Sequence, residues 1–180
     1  MEIKFSVFIA ASLDGFIARK DGSLDWLPGS DGTPSNEDTG YEAFYASVDT
    51  LVMGRNTHEL VQTFGEWPYA GKRVVVLSSR YSESMQKIAD EVLGISSSPA
   101  DIADQLQRLG AKHVYVDGGK TIQGFLRAGL IDEITLTRIP ILLGEGIPLF
   151  GGLESDVRLR HRSTRSFDSG MVQSRYEVIR

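Results

Sequence analysis

Four short segments hold most of the residues whose types could do chemistry: Ser12-Leu13-Asp14-Gly15, Gly54-Arg55-Asn56-Thr57, Ser78-Ser79-Arg80 and Asp117-Gly118-Gly119-Lys120-Thr121. The second and fourth each put Gly, a cation and Thr where a helix is predicted to open. The first N–H groups of a helix have no partner within it, and the helix dipole is positive there, so each such start is an anion site. Glycine lets a phosphate approach the backbone, Arg55 or Lys120 adds charge, and Thr57 or Thr121 adds a hydroxyl. One such start by itself is equally well read as turn chemistry. Two at the same edge of a sheet suit a ligand with several phosphates, such as a dinucleotide. Ser78-Ser79-Arg80 reads either as a place for a further phosphate or as a strand-ending turn. Neither G-x-G-x-x-G nor G-x-x-x-x-G-K-[ST] occurs, which disfavours the families that carry them.

Each segment follows an apolar run, and the runs predict the elements that position it. Phe5 to Ala11, Thr50 to Met53, Arg73 to Leu77, His113 to Val116 and Ile134 to Ile141 read as strands, the first buried on both faces. Helical spacing marks Tyr41, Phe44, Tyr45 and Val48; Leu60, Val61 and Phe64 after a start near Thr57; Met85, Ile88, Ala89 and Val92; and Ile122, Phe125 and Leu126. Ser98-Pro99 is an N-cap with Pro in the first turn of a helix running to Gly110. Val157 to Phe167 and Met171 to Ile179 alternate around Asp168-Ser169-Gly170, a hairpin. Gly29 to Gly40 is a loop. Repeated strand–helix units followed by a hairpin predict one α/β domain over residues 1–180. Its central sheet is mostly parallel, flanked by helices, and bears a C-terminal antiparallel hairpin. Ligands of such sheets bind beyond the carboxyl ends of the strands, where the four segments fall.

Composition narrows the partners. With 24 acidic residues against 19 Lys and Arg, the net charge of −5 gives no general attraction to nucleic acid or an anionic membrane. The basic stretch Arg158-Leu159-Arg160-His161-Arg162 lies on an alternating strand, as a solvated face or a subunit contact does. No cysteine is present, so disulfides, thiolate metal sites and a Cys nucleophile are excluded, and three scattered His make no zinc site. No apolar run reaches the roughly 20 residues of a membrane span, and no signal peptide is evident, so a cytoplasmic protein is expected. His58 is expected to be solvated, and His113 and His161 carry no assigned chemistry.

Taken in order, these motifs resemble a known family. Ser12-Leu13-Asp14-Gly15-Phe16-Ile17-Ala18, Trp26-Leu27-Pro28, Val52-Met53-Gly54-Arg55-Asn56-Thr57, Leu77-Ser78-Ser79-Arg80 and Val116-Asp117-Gly118-Gly119 are similar to the dihydrofolate reductase-like superfamily. Gly129-Leu130-Ile131-Asp132-Glu133, Pro140 to Gly146 and Pro148-Leu149-Phe150 continue the match over nearly the whole chain. Within that superfamily the chain most resembles the reductase domain of the bifunctional riboflavin-biosynthesis deaminase–reductase and its stand-alone relatives. The zinc-ligand Cys and His of a deaminase are absent.

The resemblance implies an NADPH-dependent reductase of a flat nitrogen heterocycle, either a ribosylaminouracil of the riboflavin pathway or a pteridine. It implies Ile17, Gly54, Arg55, Asn56 and Thr57 at the cofactor, with Ser78, Ser79 and Arg80 near its 2′-phosphate. Gly118, Gly119, Lys120, Thr121 and Ile122 would lie beneath the nicotinamide and diphosphate. Ala11, Trp26, Asp38, Tyr41 and Phe44 would adjoin the substrate, and Asp117 and Asp14 are the candidate catalytic carboxylates. Asp117 stands where the riboflavin-pathway domain has Glu-Gly-Gly; it either meets the substrate or caps the following helix. Asp14 either contacts the substrate or holds an Asp-Gly turn. Trp26, Tyr41 and Phe44 are each also explained by core packing. The acid that dihydrofolate reductases carry on the first helix falls near Gly40 here, which departs from true folate reduction. A dihydrofolate reductase with a displaced acid and a silent NADPH-binding module are therefore the rivals. The resemblance also implies a homodimer formed through sheet edges.

Overall fold

The computed structural model describes residues 3–28 and 37–180. Most of the predicted loop, from Gly29 to Asn36, lies outside the described residues. The alternation of strands and helices produces a nine-stranded sheet. Its centre is parallel: β1 (Lys4–Ser12), β3 (Thr50–Gly54), β4 (Arg73–Leu77), β6 (Val92–Ile95), β7 (His113–Asp117) and β8 (Glu133–Ile139). Two antiparallel strands extend one flank, β10 (Arg158–Ser166) and β11 (Val172–Ile179); β5 (Gln86–Ala89) closes the other. The strand order is β10-β11-β8-β1-β7-β3-β4-β6-β5. A small second sheet pairs β2 (Phe16–Ala18) with β9 (Ile147–Pro148).

Alternation along the central strands sorts side chains onto two faces. On β7, Val114 and Val116 pack into the core that also takes Ile102 and Leu106 of α3 (Pro99–Arg108) and Ile122 and Phe125 of α4 (Gly119–Arg127). Tyr115, with Leu51 and Met53 of β3, joins the opposite cluster. Against that cluster lie α1 (Tyr41–Ser47) and, through Val61, α2 (Arg55–Gln62). Asp117, two residues beyond Tyr115, is thereby directed to the α1–α2 face at the carboxyl end of the sheet.

One predicted element is corrected. Met85, Ile88, Ala89 and Val92 satisfy helical spacing, yet the chain forms β5 and β6, an antiparallel pair turning at Asp90-Glu91. Glu91 takes φ 60, which tightens a turn lacking the expected glycine. The run Val92–Ile95 is mostly buried and extends the parallel sheet beside β4, a packing gain that outweighs the local helical pattern. The C-terminal hairpin forms as predicted, with every residue of β10 exposed.

Candidate functional site

The starts of α2 and α4 come together at the carboxyl edge of β3 and β7. Gly54 precedes α2 and Gly118 precedes α4, and neither helix has a side-chain cap. The first-turn N–H groups of both are thus left to solvent or a ligand. A Cβ on Gly118 would stand 2.6 Å from Thr57 Oγ1, and one on Gly54 would stand 3.4 Å from Thr121 Oγ1. Gly118 also takes φ +89, a conformation that favours glycine. Glycine at 118 is what lets the two helix starts approach each other; a Cβ at Gly54 would only reach ordinary contact.

Several expected cofactor residues surround this junction. Lys120 and Asn56 are exposed, and Arg55 is half-buried and lies 3.7 Å from Glu59 one turn on. Thr121 is buried. A Cβ on Gly119 would meet the Pro148 carbonyl oxygen at 2.9 Å and Ile17 Cδ1 at 3.1 Å, so β2 and β9 wall this side. Ile122 is fully buried in the core, and its N–H donates to the Gly118 carbonyl oxygen at 2.9 Å, so it supports the helix start from behind. Ser78, Ser79 and Arg80 follow β4 on the same edge. The Arg80 N–H donates to Ser78 Oγ, and the Arg80 side chain is exposed.

The carboxylates separate in role. Asp14 accepts from the Ser12 hydroxyl at 2.6 Å, from the Leu143 N–H at 3.2 Å and from the Gly144 N–H at 2.7 Å. These bonds hold its carboxyl below the usual range, the Ser12 bond most of all, and tie the turn after β1 to the turn after β8. Asp117 makes one bond, accepting from the Gly118 N–H at 2.8 Å, and does not cap α4. Burial pushes its pKa up to about 6, against the opposing pull of that N–H. Its charge reaches the phenols of Tyr41, Tyr69 and Tyr115 and raises each further, after burial as the main cause.

The expected substrate residues divide similarly. Tyr41 is half-buried at the start of α1, with its ring 5.5 Å from that of Phe8. Phe44 stacks on Phe8 at 5.0 Å and meets Tyr115 edge-on at 5.1 Å, which is core packing. Ala11 is buried in the main core. The Asp38 carboxylate accepts from the Gly40 N–H at 2.8 Å and is exposed. Trp26 is buried against Ile139 and Met171, and its indole N–H is the one buried side-chain polar atom without a partner among the described residues. His58 is corrected: it is buried, its ring 5.7 Å from Trp67, and burial lowers its pKa. Tyr69 was not legible, because it sits in a turn rich in Gly and Pro with no periodic pattern around it.

Elsewhere, a cleft of about 440 Å³ opens at the far edge of the sheet, lined by Lys4, Asp132, Glu133, Arg162, Arg175 and Glu177. Its charges satisfy one another: Arg175 and Lys4 pair with Glu133, and Arg162 pairs with Glu177. No group of His or acidic residues among the described residues could hold a metal ion. No helix among them is long and apolar enough to cross a membrane.

A mostly parallel sheet with a C-terminal hairpin and two uncapped helix starts at its carboxyl edge defines a protein of the dihydrofolate reductase-like fold. The dihydrofolate reductase of Enterococcus faecalis complexed with NADP(H) superposes with a TM-score of 0.65 at 20% identity, covering 97% of this chain and 96% of that one. Residues 4–173 match the RibD C-terminal domain, and the chain belongs to that family. YwjB of Bacillus subtilis (strain 168), itself uncharacterized, is 36% identical over 179 residues, covering 98% of each chain. The crystal structure of a Shewanella sp. PV-4 protein named provisionally for riboflavin biosynthesis has a TM-score of 0.88 at 45% identity, covering 99% of this chain and 100% of that one. Membership places the chain among reductase-like proteins.

Proposed function

We propose that this protein is an NADPH-dependent reductase of a nitrogen heterocycle. Its substrate class is a 5-amino-6-ribosylaminouracil of the riboflavin-pathway type, or a pteridine. The observation that carries the reading is the pair of uncapped helix starts meeting at one edge of the sheet, one residue from the half-buried carboxyl of Asp117. Their free N–H groups, with Arg55 and Lys120 nearby, fit a dinucleotide diphosphate in charge and donor count. Arg80, exposed after β4, supports selection of the 2′-phosphate of NADPH over NADH.

When bound, NADPH supplies a hydride; the protein has to orient two rings and exclude water. Gly119, walled by Pro148 and Ile17, sets the floor beneath the nicotinamide side. Asp117, with a pKa of about 6, keeps a proton in part of its population near neutrality and can pass it to the nitrogen of the C=N bond that takes the hydride. Trp26, buried against Ile139 and Met171, packs the wall behind the turn after β8. Asp14 holds the wall formed by the Leu143–Gly144 turn rather than reacting. The homodimer remains part of this proposal, joined through the exposed C-terminal hairpin; light scattering at the monomer mass would remove it.

Fluorescence titration of the purified protein with NADPH and with NADH tests the reading. Binding of NADPH well in excess of NADH, followed by oxidation of NADPH with 5-amino-6-(5-phosphoribosylamino)uracil, is the expected result. Oxidation only with dihydrofolate would favour the displaced-acid dihydrofolate reductase, and binding without turnover of either would favour the silent module.

A further inference from the structure

Ser79 and Arg80 stand at the corners of a β-turn that leaves the carboxyl end of β4. The Tyr81 N–H closes the turn by donating to the Ser78 carbonyl oxygen at 3.1 Å, and the Arg80 N–H donates to the Ser78 hydroxyl at 3.3 Å. Both ends are pinned to the end of β6. The Ser78 N–H donates to the Ile95 carbonyl oxygen at 3.0 Å, and the Ser96 N–H donates to the Ser82 carbonyl oxygen at 2.8 Å. Between these pins the Tyr81 ring rests on Gly94 of β6. A Cβ at Gly94 would stand 2.7 to 2.8 Å from Tyr81 Cδ2, Cε2 and Cγ. Near-equal distances to three consecutive ring atoms mean that the face of the ring, not its edge, covers the glycine. The ring joins the cluster that also holds Val92 and Val76, the latter opposite Gly94 on β4. Glycine within a strand often marks the close approach of another group. Gly94 has no positive φ, so the ring above it, and not its own backbone, is what excludes a side chain there.

We infer that Tyr81, seated on Gly94, is the positioning residue that presents Arg80 to the 2′-phosphate of the cofactor and so sets the preference for NADPH over NADH. The inference rests on the reductase reading above, with Arg80 at that phosphate, and adds the residue that aims it. The Arg80 side chain is exposed and pairs with no carboxylate among the described residues, so the path of its backbone decides where its charge is offered. Holding an anion costs a long side chain rotamer freedom, and a fixed backbone beneath it limits the further ordering that binding requires. Tyr81 follows Arg80 directly, and a ring lodged against β6 keeps that half of the turn from shifting. The contact is made by the ring face, so the hydroxyl has no part in it.

Fluorescence titration of the full chain with NADPH and with NADH tests this, beside the unfolding temperature of each variant. Tyr81→Phe keeps the ring and should bind both nucleotides as the wild type does. Tyr81→Ala removes the ring, and Gly94→Ala keeps it but puts a methyl group where it rests. Each should weaken NADPH binding about threefold to tenfold, part or all of one exposed charged contact, and leave NADH binding as it was. Because Tyr81 acts through Arg80, Arg80→Ala/Tyr81→Ala should bind NADPH no more weakly than Arg80→Ala by itself. Should Tyr81→Ala fail to fold, Gly94→Ala decides the matter with the aromatic ring still present. A merely structural ring would lower the unfolding temperature and leave the ratio of the two affinities intact, which overturns the inference. So does an equal loss for both nucleotides, a lost preference in Tyr81→Phe, or a further loss in the double variant. A wild type that binds neither nucleotide overturns the reductase reading. One that binds both alike, or an Arg80→Ala that keeps the preference, overturns the placement of Arg80; in each case this inference falls with it.

Discussion

On one side of Gly118, the groups available to a ligand come from unbroken stretches of chain: Gly54 to Thr57 opens α2 and Gly118 to Thr121 opens α4. On the other side, the charge of Asp117 acts on the phenols of Tyr41 from α1, Tyr69 from the turn before β4, and Tyr115 from its own strand. The first side is made by local backbone geometry, and its chemistry belongs to N–H groups that any sequence with the right turn would offer. The second is made by packing between distant segments, and its chemistry belongs to individual side chains. A site divided in this way can keep a constant grip on a phosphate-bearing cofactor while its substrate preference changes by single substitutions.

The largest effect that separates the two sides is expected at Gly118. Alanine there must adopt φ +89 and bring its Cβ to 2.6 Å from Thr57 Oγ1. Left-handed strain and overpacking together cost about 2–4 kcal/mol, and NADPH binding should fall more than a hundredfold as α2 and α4 part. Denaturant unfolding and the fluorescence titration measure the two losses. Adding Thr57→Ala should return the steric share and leave the backbone share; full recovery would show that no left-handed requirement exists.

Asp117→Asn comes next and acts on the other side. Turnover should fall about a hundredfold, the lower range for a lost proton donor, with NADPH affinity unchanged. In the wild type, activity that needs the protonated carboxyl should decline as pH rises through about 6. Stability carries the same signature. Because burial raises this carboxyl from 3.8 to about 6, the folded state holds a proton that the unfolded chain has released in that window. Stability from this group therefore falls as pH rises between those values, by up to roughly 3 kcal/mol. Carboxyls with lowered values, such as Asp49 and Glu133, push the opposite way, and their contribution is already in place once pH passes the ordinary carboxylate range. Between about pH 4.5 and 6 the lowered pKa values of His58 and His113 add a slope of the opposite sign, so the Asp117 share is the part of the slope that Asp117→Asn removes. A slope that survives the substitution belongs to another group.

This division also explains what the sequence made legible. Gly-Arg-Asn-Thr after Val52-Met53 announces a strand running into a helix, because the turn, the cation and the hydroxyl are contiguous. The C-terminal hairpin was equally plain from Asp168-Ser169-Gly170 between two alternating runs. Tyr69 was invisible, since nothing in Trp67-Pro68-Tyr69 says that its ring will join the cluster of Tyr115 and feel the charge of Asp117, 48 positions on. The same limit applied to His58, which its place after Thr57 suggested would be solvated and which Trp67 covers. The stretch from Met85 to Val92 failed for a different reason: four apolar positions fit two periods, and only pairing beside β4 decides between them.

A smaller effect sharpens the cofactor side. Arg80→Ala should lower NADPH affinity about tenfold and leave NADH binding as it was, the consequence of one exposed charged contact to a phosphate. An equal loss for both nucleotides would place Arg80 on the diphosphate instead, and no change would leave the 2′-phosphate to Ser78 and Ser79.

The smallest effect is expected at the clasp that sets α1 over the site. Glu37 accepts from the Ser169 N–H at 2.9 Å and from the Ser169 hydroxyl at 2.5 Å. Arg165 donates to the Asp38 carbonyl oxygen at 2.9 Å while lying over the Phe167 ring, and Gln173 donates to the Thr39 carbonyl oxygen at 3.1 Å. The hairpin thus grips residues 37–39, and Tyr41 follows immediately. Arg165→Ala removes one partly exposed contact of this set, so the others still hold the strap, and overall stability should change by less than about 1 kcal/mol. Tyr41 would nevertheless lose some of its fixed position, which should raise KM for the heterocycle about twofold to threefold, with kcat and NADPH affinity unaltered. Arg165→Lys, which can still reach a carbonyl oxygen, should recover part of that loss. A change in NADPH affinity instead would mean that the clasp supports the cofactor side, and the two halves of the site would not be mechanically separate.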